Sequence, residues 1–261
     1  MIIKKTIKAG NSSAVVLPKS WLDKEVRVEL VKKSKEIMLH DVIDVLMKHL
    51  DITQIIGIYL TGSYARGEED ENSDIDILII TDNIDKEIIK EGIYNILIIS
   101  TDLLQKKLDR DLLPIGPMIK EAYALLNSSY LQSINVRVTK KNIGWYIKTT
   151  EDKLVLIKNV LNTLKKRNKK YVYDKVIYTL VLRIRTLYII KELMKNKIYS
   201  KKDFIRIINK VSKGKKAYER YVAVKNNSED GKIVDVDTVW RLYNYLRIQL
   251  DALKKLLSHA Q

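Results

Sequence analysis

Apolar residues recur along this chain with several different rhythms. Ile2–Lys8 and Val26–Val31 alternate apolar and polar positions, the period of half-buried strands. Between them, Ala9-Gly10-Asn11-Ser12-Ser13 has turn chemistry. Ala14-Val15-Val16-Leu17 reads as a short strand stopped by Pro18, and Lys19–Leu22 as a brief helical turn anchored by Trp21. Asp41–Leu50 has helical spacing, with Val42, Val45, Leu46 and Leu50 on one face. Gly57-Ile58-Tyr59-Leu60 reads as a buried strand running into Thr61-Gly62-Ser63, then a short helix over Tyr64–Glu69 and an acidic loop over Glu69–Ser73. Asp74-Ile75-Asp76-Ile77-Leu78-Ile79-Ile80 is a second strand. A helix over Asp85–Gly92, a strand over Ile93–Ser100, a helix within Pro114–Asn127 and a closing strand over Tyr130–Val138 follow.

From Asp152 onward the period is helical throughout. Leu154, Leu156, Ile157, Val160, Leu161 and Leu164 form a stripe that ends at Lys165-Lys166-Arg167-Asn168-Lys169-Lys170. Tyr171–Met194 predicts a long helix, Ser200 caps a third with Asp203 at its third position, and Lys215–Val224 is a shorter one. Asn226–Gly231 is a loop, and Asp237–Ser258 is the last helix, with Val239, Leu242, Leu246, Leu250, Leu253 and Leu257 inward. The predicted fold class is α+β, in three parts: 1–40, 41–138 and 139–261.

Composition narrows the classes. With nine Gly, three Pro and 46% apolar residues, the chain is neither disordered nor collagen-like. No apolar run approaches the ~20 residues of a membrane-spanning helix. Lys4, Lys5 and Lys8 interrupt any secretory core, so a cytoplasmic protein with no membrane partner is expected. There is no cysteine, which excludes disulfides and thiolate metal sites, and His40, His49 and His259 are scattered. The net charge of +16 is unevenly spread: +5 over residues 1–40, −9 over 41–135 and +20 over 136–261. An acidic centre between two basic modules implies different partners for different parts.

Candidate chemistry sits in the acidic centre. Asp74 and Asp76 lie two residues apart on one strand, so both carboxylates project from one face, roughly 6–7 Å apart at the backbone. Gly62 permits a sharp turn and close approach of a polyphosphate, and Ser63 sets a hydroxyl and N–H where anions are favoured. Arg66, one turn on, is placed to reach a phosphate or to pair with Glu69 or Asp70. Paired carboxylates facing such a turn suit Mg²⁺ (or Mn²⁺) and a nucleoside triphosphate.

The string GSYARGEEDENSDIDILI resembles the signature of the DNA polymerase beta-like nucleotidyltransferase superfamily, closest to its small minimal-type members. Gly62-Ser63 is followed by ten residues and then Asp74-Ile75-Asp76-Ile77. The resemblance implies a mixed-sheet nucleotidyltransferase core, with Asp74 and Asp76 as catalytic metal ligands and Gly62, Ser63 and Arg66 at the nucleotide, ATP being the expected NTP. Active members usually add a third carboxylate from a neighbouring strand. Here that strand, Ile93–Ser100, holds no acid, and the expected position falls at Tyr94, Asn95 or Ile96. Glu91 and Asp102 flank it.

The stretch from Lys4 to Leu30, KKTIKAGNSSAVVLPKSWLDKEVRVEL, resembles the AbrB/MazE-type swapped-hairpin DNA-binding domain. That implies an intertwined homodimer with Lys4, Lys5, Lys8, Asn11 and Ser12 facing DNA. A basic C-terminal helical bundle following such a core has the layout seen in related small enzymes, where it helps bind the acceptor. Its charge, with Tyr171, Tyr173, Tyr218, Tyr221, Tyr243 and Tyr245, suits RNA or single-stranded DNA. The expected activity is transfer of a nucleoside monophosphate from an NTP to a hydroxyl on RNA or a partner protein, in an arrangement resembling toxin–antitoxin modules. The competing reading is an AbrB-like DNA-binding dimeric regulator whose nucleotidyltransferase domain binds nucleotide but is catalytically degenerate.

Overall fold

The computed structural model describes residues 2–4, 6–29, 34–70, 73–228 and 234–259. Lys5, Leu30, Val31, Glu71, Asn72 and Gly231, which figure in the expectations above, lie outside them. The chain divides into two compact units, Met1–Lys106 with Glu121–Asn135, and Lys107–Lys120 with Val136–Gln261.

The first unit opens with a small antiparallel hairpin, β1 (Ile7–Ala9) and β2 (Ser12–Ala14), with Ile7 opposite Ala14. β1 is shorter than the Ile2–Lys8 alternation predicts, β2 lies over Ser12–Ala14 instead of Ala14–Leu17, and residues 24–29 form no strand. A strand needs a partner row of N–H and C=O groups; among the described residues none pairs with Val26 and Val28, which stay exposed. Ile3, by contrast, turns inward and is 6% exposed.

α1 (Lys35–Leu46) starts at Ser34, whose hydroxyl accepts from the Ile37 N–H. It lays Met38, Val42, Val45 and Leu46 on a five-stranded mixed sheet, together with Ile58, Leu60, Ile75, Ile77, Ile79, Tyr94, Ile96 and Ile98. The strands are β3 (Ile55–Thr61), β4 (Ile75–Thr81), β5 (Lys86–Glu91), β6 (Tyr94–Ser100) and β7 (Tyr123–Leu126), in the order β5-β6-β4-β3-β7. Only β4 and β6 run parallel. β4 is the inner strand, and Ile75 with Ile77 through Ile80 is fully buried, the near-continuous apolar run of a strand covered on both faces. α2 (Gly62–Arg66) links β3 to the loop before β4.

Three expectations are corrected here. Asp85–Gly92 is not a helix but strand β5, turned back onto β6 through Gly92-Ile93, with Glu91 opposite Tyr94. Gly92 has φ +61, and a Cβ there would meet Ile3 Cγ2 at 2.3 Å, so the turn takes glycine for both reasons. The segment after residue 100 forms α3 (Thr101–Arg110) and α4 (Leu112–Glu121) before β7. Pro114–Asn127 is therefore helix and then strand. Tyr130–Val138 is no strand; it is the end of α5 (Ser128–Ser133) and irregular chain. β7 already supplies the closing strand.

The second unit is helical apart from one two-stranded ladder. α6 (Lys140–Lys166) begins at a capping box between Thr139 and Asn142. It buries Leu154, Ile157 and Leu161 but leaves Leu156 and Val160 exposed, which narrows the predicted stripe. β8 (Tyr171–Val172) pairs with β9 (Val234–Asp235), so the long helix α7 starts later than predicted, at Asp174, and runs to Met194. α8 (Lys201–Ser212) is capped by the Ser200 hydroxyl, which accepts from the Asp203 N–H at 3.1 Å. α9 (Lys216–Lys225) and α10 (Val236–His259) pack against α7. All six residues predicted inward on α10 are buried.

Candidate active site

The site is laid across one edge of the sheet. β3 ends at Thr61, which pairs with Asp76 and donates its hydroxyl to the Asp76 carbonyl at 3.2 Å. Gly62 then breaks away at φ +70 to start α2. A Cβ on Gly62 would stand 2.2 Å from Asp76 Oδ2, so the absence of a side chain is what lets the carboxylate lie against the turn. The helix ends at once, with the Glu68 N–H bonded to the Ser63 carbonyl at 2.9 Å. The acidic loop returns the chain to Asp74, the last residue before β4.

On β4, Ile75 and Ile77 point into the core at 0% exposure, while Asp74 and Asp76 face the other way. The parallel register sets Asp76 opposite Asn95 on β6. The Asn95 amide nitrogen lies 3.4 Å from Asp74 Oδ2 and 3.4 Å from Asp76 Oδ1. A single side chain thus reaches both carboxylates, which brings the two predicted catalytic residues together on one face. Of the three positions that the resemblance offers for a third carboxylate, Tyr94 is bonded to Asp41 and Ile96 is in the core, and Asn95 is the one that faces the aspartates. Next to it, the Tyr94 hydroxyl donates to buried Asp41 Oδ2 at 2.8 Å, fixing the start of β6 beneath α1.

A carboxylate from the far side of the sheet completes the row. Glu121, the last residue of α4 just before β7, accepts from the Gly62 N–H at 2.8 Å and from Arg66 Nη1 at 2.6 Å. Arg66 Nε also donates to Glu68 Oε2 at 2.9 Å. Burial pushes the Glu121 carboxyl above its ordinary value, with Asp76 acting in the same direction and Arg66 and Gly62 pulling against it. Burial opposes the Arg66 charge, but Glu121 and Glu68 outweigh it and hold the guanidinium above its ordinary value. Arg66 is therefore braced between two carboxylates. Glu121 is absent from the sequence-predicted site, although an acid between an apolar helix and an apolar strand, in KEAYALL, is a signal that something must pair with it.

The donor set suits a hard divalent cation. Mg²⁺ is commonly held by one or two carboxylates together with substrate phosphates, and Asp74 and Asp76 supply two on one face. A half-turn of the Asn95 amide would present its oxygen beside them. Among the described residues no group of three or more His, Cys, Asp or Glu is placed to hold a metal ion, so the phosphates would have to share in the ligation.

The residues predicted to face DNA form a separate group. Lys8, Asn11 and Ser12 are exposed on the β1–β2 hairpin, and Lys4 is exposed just before it.

Residues 43–256 match the family described as nucleotidyltransferase domain. The chain belongs to that family. This nucleotidyltransferase has no significant match among curated protein sequences. Several solved structures are similar to it, among them these two. The spectinomycin adenyltransferase AAD(9) from Enterococcus faecialis, with ATP and spectinomycin, is 15% identical at a TM-score of 0.45, over 83% of this chain and 99% of that one. A nucleotidyltransferase-like protein from Exiguobacterium sibiricum 255-15 is 10% identical at a TM-score of 0.38, over 82% of this chain and 75% of that one. Nucleotidyltransferases of this kind use an NTP and a divalent metal ion. No helix among the described residues is long and apolar enough to cross a membrane.

Proposed function

We propose that this nucleotidyltransferase moves a nucleoside monophosphate from an NTP, ATP first among the candidates, to a hydroxyl on RNA or on a partner protein. The observation that supports this reading is the convergence of Asp74 and Asp76 on the Asn95 amide, beside the Gly62 turn. Mg²⁺ or Mn²⁺ held by Asp74 and Asp76 would supply charge neutralisation at the triphosphate. Gly62 leaves room for phosphate beside the carboxylates, and Ser63 offers a hydroxyl at the turn. Glu121 and Arg66 keep that turn in place. The basic second unit favours a polyanionic acceptor over a small neutral one. Transfer of label from an α-labelled NTP to RNA or protein, present in the native chain and absent in Asp74→Ala/Asp76→Ala, is the test.

Residues 1–40 are assigned to an AbrB/MazE-like swapped dimer that binds DNA through Lys4, Lys5, Lys8, Asn11 and Ser12. Two features support the dimer. Ile7, Val16, Leu22, Val26 and Val28 remain exposed on the single chain. A groove of about 630 Å³ beside them is lined by Val15, Leu17, Trp21, Val26 and Val28, among others. A second hairpin would cover both. A DNA-binding dimer joined to a transferase fits a cytoplasmic toxin–antitoxin component that regulates its own expression.

Asn95 favours a second reading of the same site. An amide cannot act as base or as an anionic ligand, so nucleotide binding would dominate and transfer would be weak. The protein would then act chiefly as an AbrB-like regulator that senses nucleotide. Tight NTP binding with no label transfer to any acceptor selects this reading.

A further inference from the structure

The tyrosines of the basic C-terminal third meet different fates. Tyr221 and Tyr243 are buried, and Tyr218 and Tyr245 are half-buried. Tyr171 and Tyr173 are exposed, at 55% and 80%. Between and after these two, Val172 and Asp174 are buried at 2% and 6%. Residues 171–173 thus alternate outward, inward and outward, the period of extended chain, before α7 begins at the buried Asp174. Both rings stand on one face, with attachment points roughly 6–7 Å apart.

The inward residues hold this arrangement. Val172 pairs with buried Val234 across the β8–β9 ladder. Asp174 accepts from Arg220 Nε at 2.9 Å. With their neighbours anchored on the other side, the two rings have no route into the core of their own unit.

The surroundings identify the ligand. Lys165, Lys166, Arg167, Lys169, Lys170 and Lys175 are all exposed. None has a side-chain ion-pair partner among the described residues. The acid inside the stretch, Asp174, is neutralised by Arg220. The acid opposite Tyr171, Asp235, is turned onto the Thr238 N–H and hydroxyl, at 2.7 and 2.8 Å. Six cations and two attachment points for rings on one face form the combination that binds unpaired bases by stacking and their phosphates by charge. A duplex hides its base faces, and a peptide of acidic residues has no aromatic rings to stack on the tyrosines.

We infer that residues 165–175 form a platform for single-stranded nucleic acid, with successive bases on Tyr171 and Tyr173 and phosphates along Lys165–Lys170. This platform stands whether or not the other unit transfers nucleotides.

Fluorescence anisotropy of labelled twelve-residue oligonucleotides of U and of dT, with the full chain, tests it. The titrations are run between about 50 and 200 mM salt, in the Lys4→Glu/Lys8→Glu background so that the hairpin does not contribute. Tyr171→Ala/Tyr173→Ala weakens binding at least tenfold while keeping the melting temperature, because both rings are exposed. Tyr171→Phe/Tyr173→Phe retains binding, since stacking needs only the ring. Lys169→Glu/Lys170→Glu weakens binding and flattens its salt dependence. Preference for U over dT means that the ribose hydroxyl is also contacted, and equal affinity means that bases and phosphates suffice; both support the platform. Undiminished binding by the double alanine variant overturns it, as does a duplex of equal length binding as tightly, or polyglutamate competing as well as the oligonucleotide.

Discussion

Asn95 lies directly opposite Asp76 in the parallel pairing of β6 with β4, its amide nitrogen 3.4 Å from the Asp76 carboxylate. From position 95 on the neighbouring strand, one side chain reaches both aspartates. Asn95→Asp puts a third carboxylate there with almost no change in shape. Steady-state label transfer should rise by about tenfold or more, because a positioned base or anionic ligand typically contributes at least that much. A fall in rate instead would mean that the amide itself is needed where it stands.

Gly62 faces two constraints at once. Its φ of +70 suits glycine, and a Cβ would stand 2.2 Å from Asp76 Oδ2. Gly62→Ala should lower stability by about 1–3 kcal/mol and reduce transfer on the order of 100-fold, a misplacement effect. Thermal melting and single-turnover transfer, measured together, check this; a variant that melts lower yet transfers normally would show that the turn is structural only.

Glu121 closes a buried ion pair with Arg66 and takes the Gly62 N–H. Glu121→Ala leaves both donors short of an acceptor and should cost about 3 kcal/mol, the scale of breaking a buried pair by removing one partner. Urea denaturation measures the loss. Exchange with the conservative Glu121→Gln separates charge from hydrogen bonding, because the amide can still accept from Gly62 but meets Arg66 without charge.

Part of this row is legible in the sequence and part is hidden. β4 is readable because Asp74 and Asp76 alternate with isoleucines that must be buried. β5 is ambiguous because Asp85-Lys86-Glu87-Ile88-Ile89-Lys90-Glu91 suits a helix as well as a strand; pairing with β6 and the Gly92 turn decide it. Glu121 is hidden because its partners lie 55 and 59 residues away. Local spacing offers Arg66 a phosphate or an acid of the following loop, Glu69 or Asp70, while the structure pairs it with Glu121 and Glu68. The last helix is legible throughout, since one apolar stripe of period 3.6 leaves little choice of buried face.

α10 offers a pH test of the second unit. Asp235 sits before it and accepts from the Thr238 N–H and hydroxyl. Burial acts to raise its carboxyl, but these bonds and Arg241 hold it below the ordinary value of 3.8. A depressed carboxyl adds stability above its unfolded value and loses it as pH falls through the folded one. Asp235→Ala should therefore cost about 1 kcal/mol at neutral pH. The difference from the native chain should shrink once the pH drops below 3.8. Melting curves from pH 7 downward, on both chains, check the sign.

The N-terminal hairpin carries its own test. Lys4→Glu/Lys8→Glu should weaken duplex DNA binding and lower the slope of log affinity against log salt by about 0.9 for each phosphate no longer neutralised. Val28→Asp, at a residue 68% exposed on the single chain, should shift the species seen by light scattering from dimer to monomer. An unchanged slope removes the DNA role, and an unchanged mass removes the intertwined dimer.

The central claim is that Asp74 and Asp76 carry nucleotidyl transfer. The full chain, each α-labelled NTP in turn, Mg²⁺ and bulk RNA or cell protein are incubated beside the Asp74→Ala/Asp76→Ala variant. The prediction is acid-stable label on an acceptor with the native chain, absent with the variant and absent when the metal is chelated. Label transfer that persists in the variant contradicts the account.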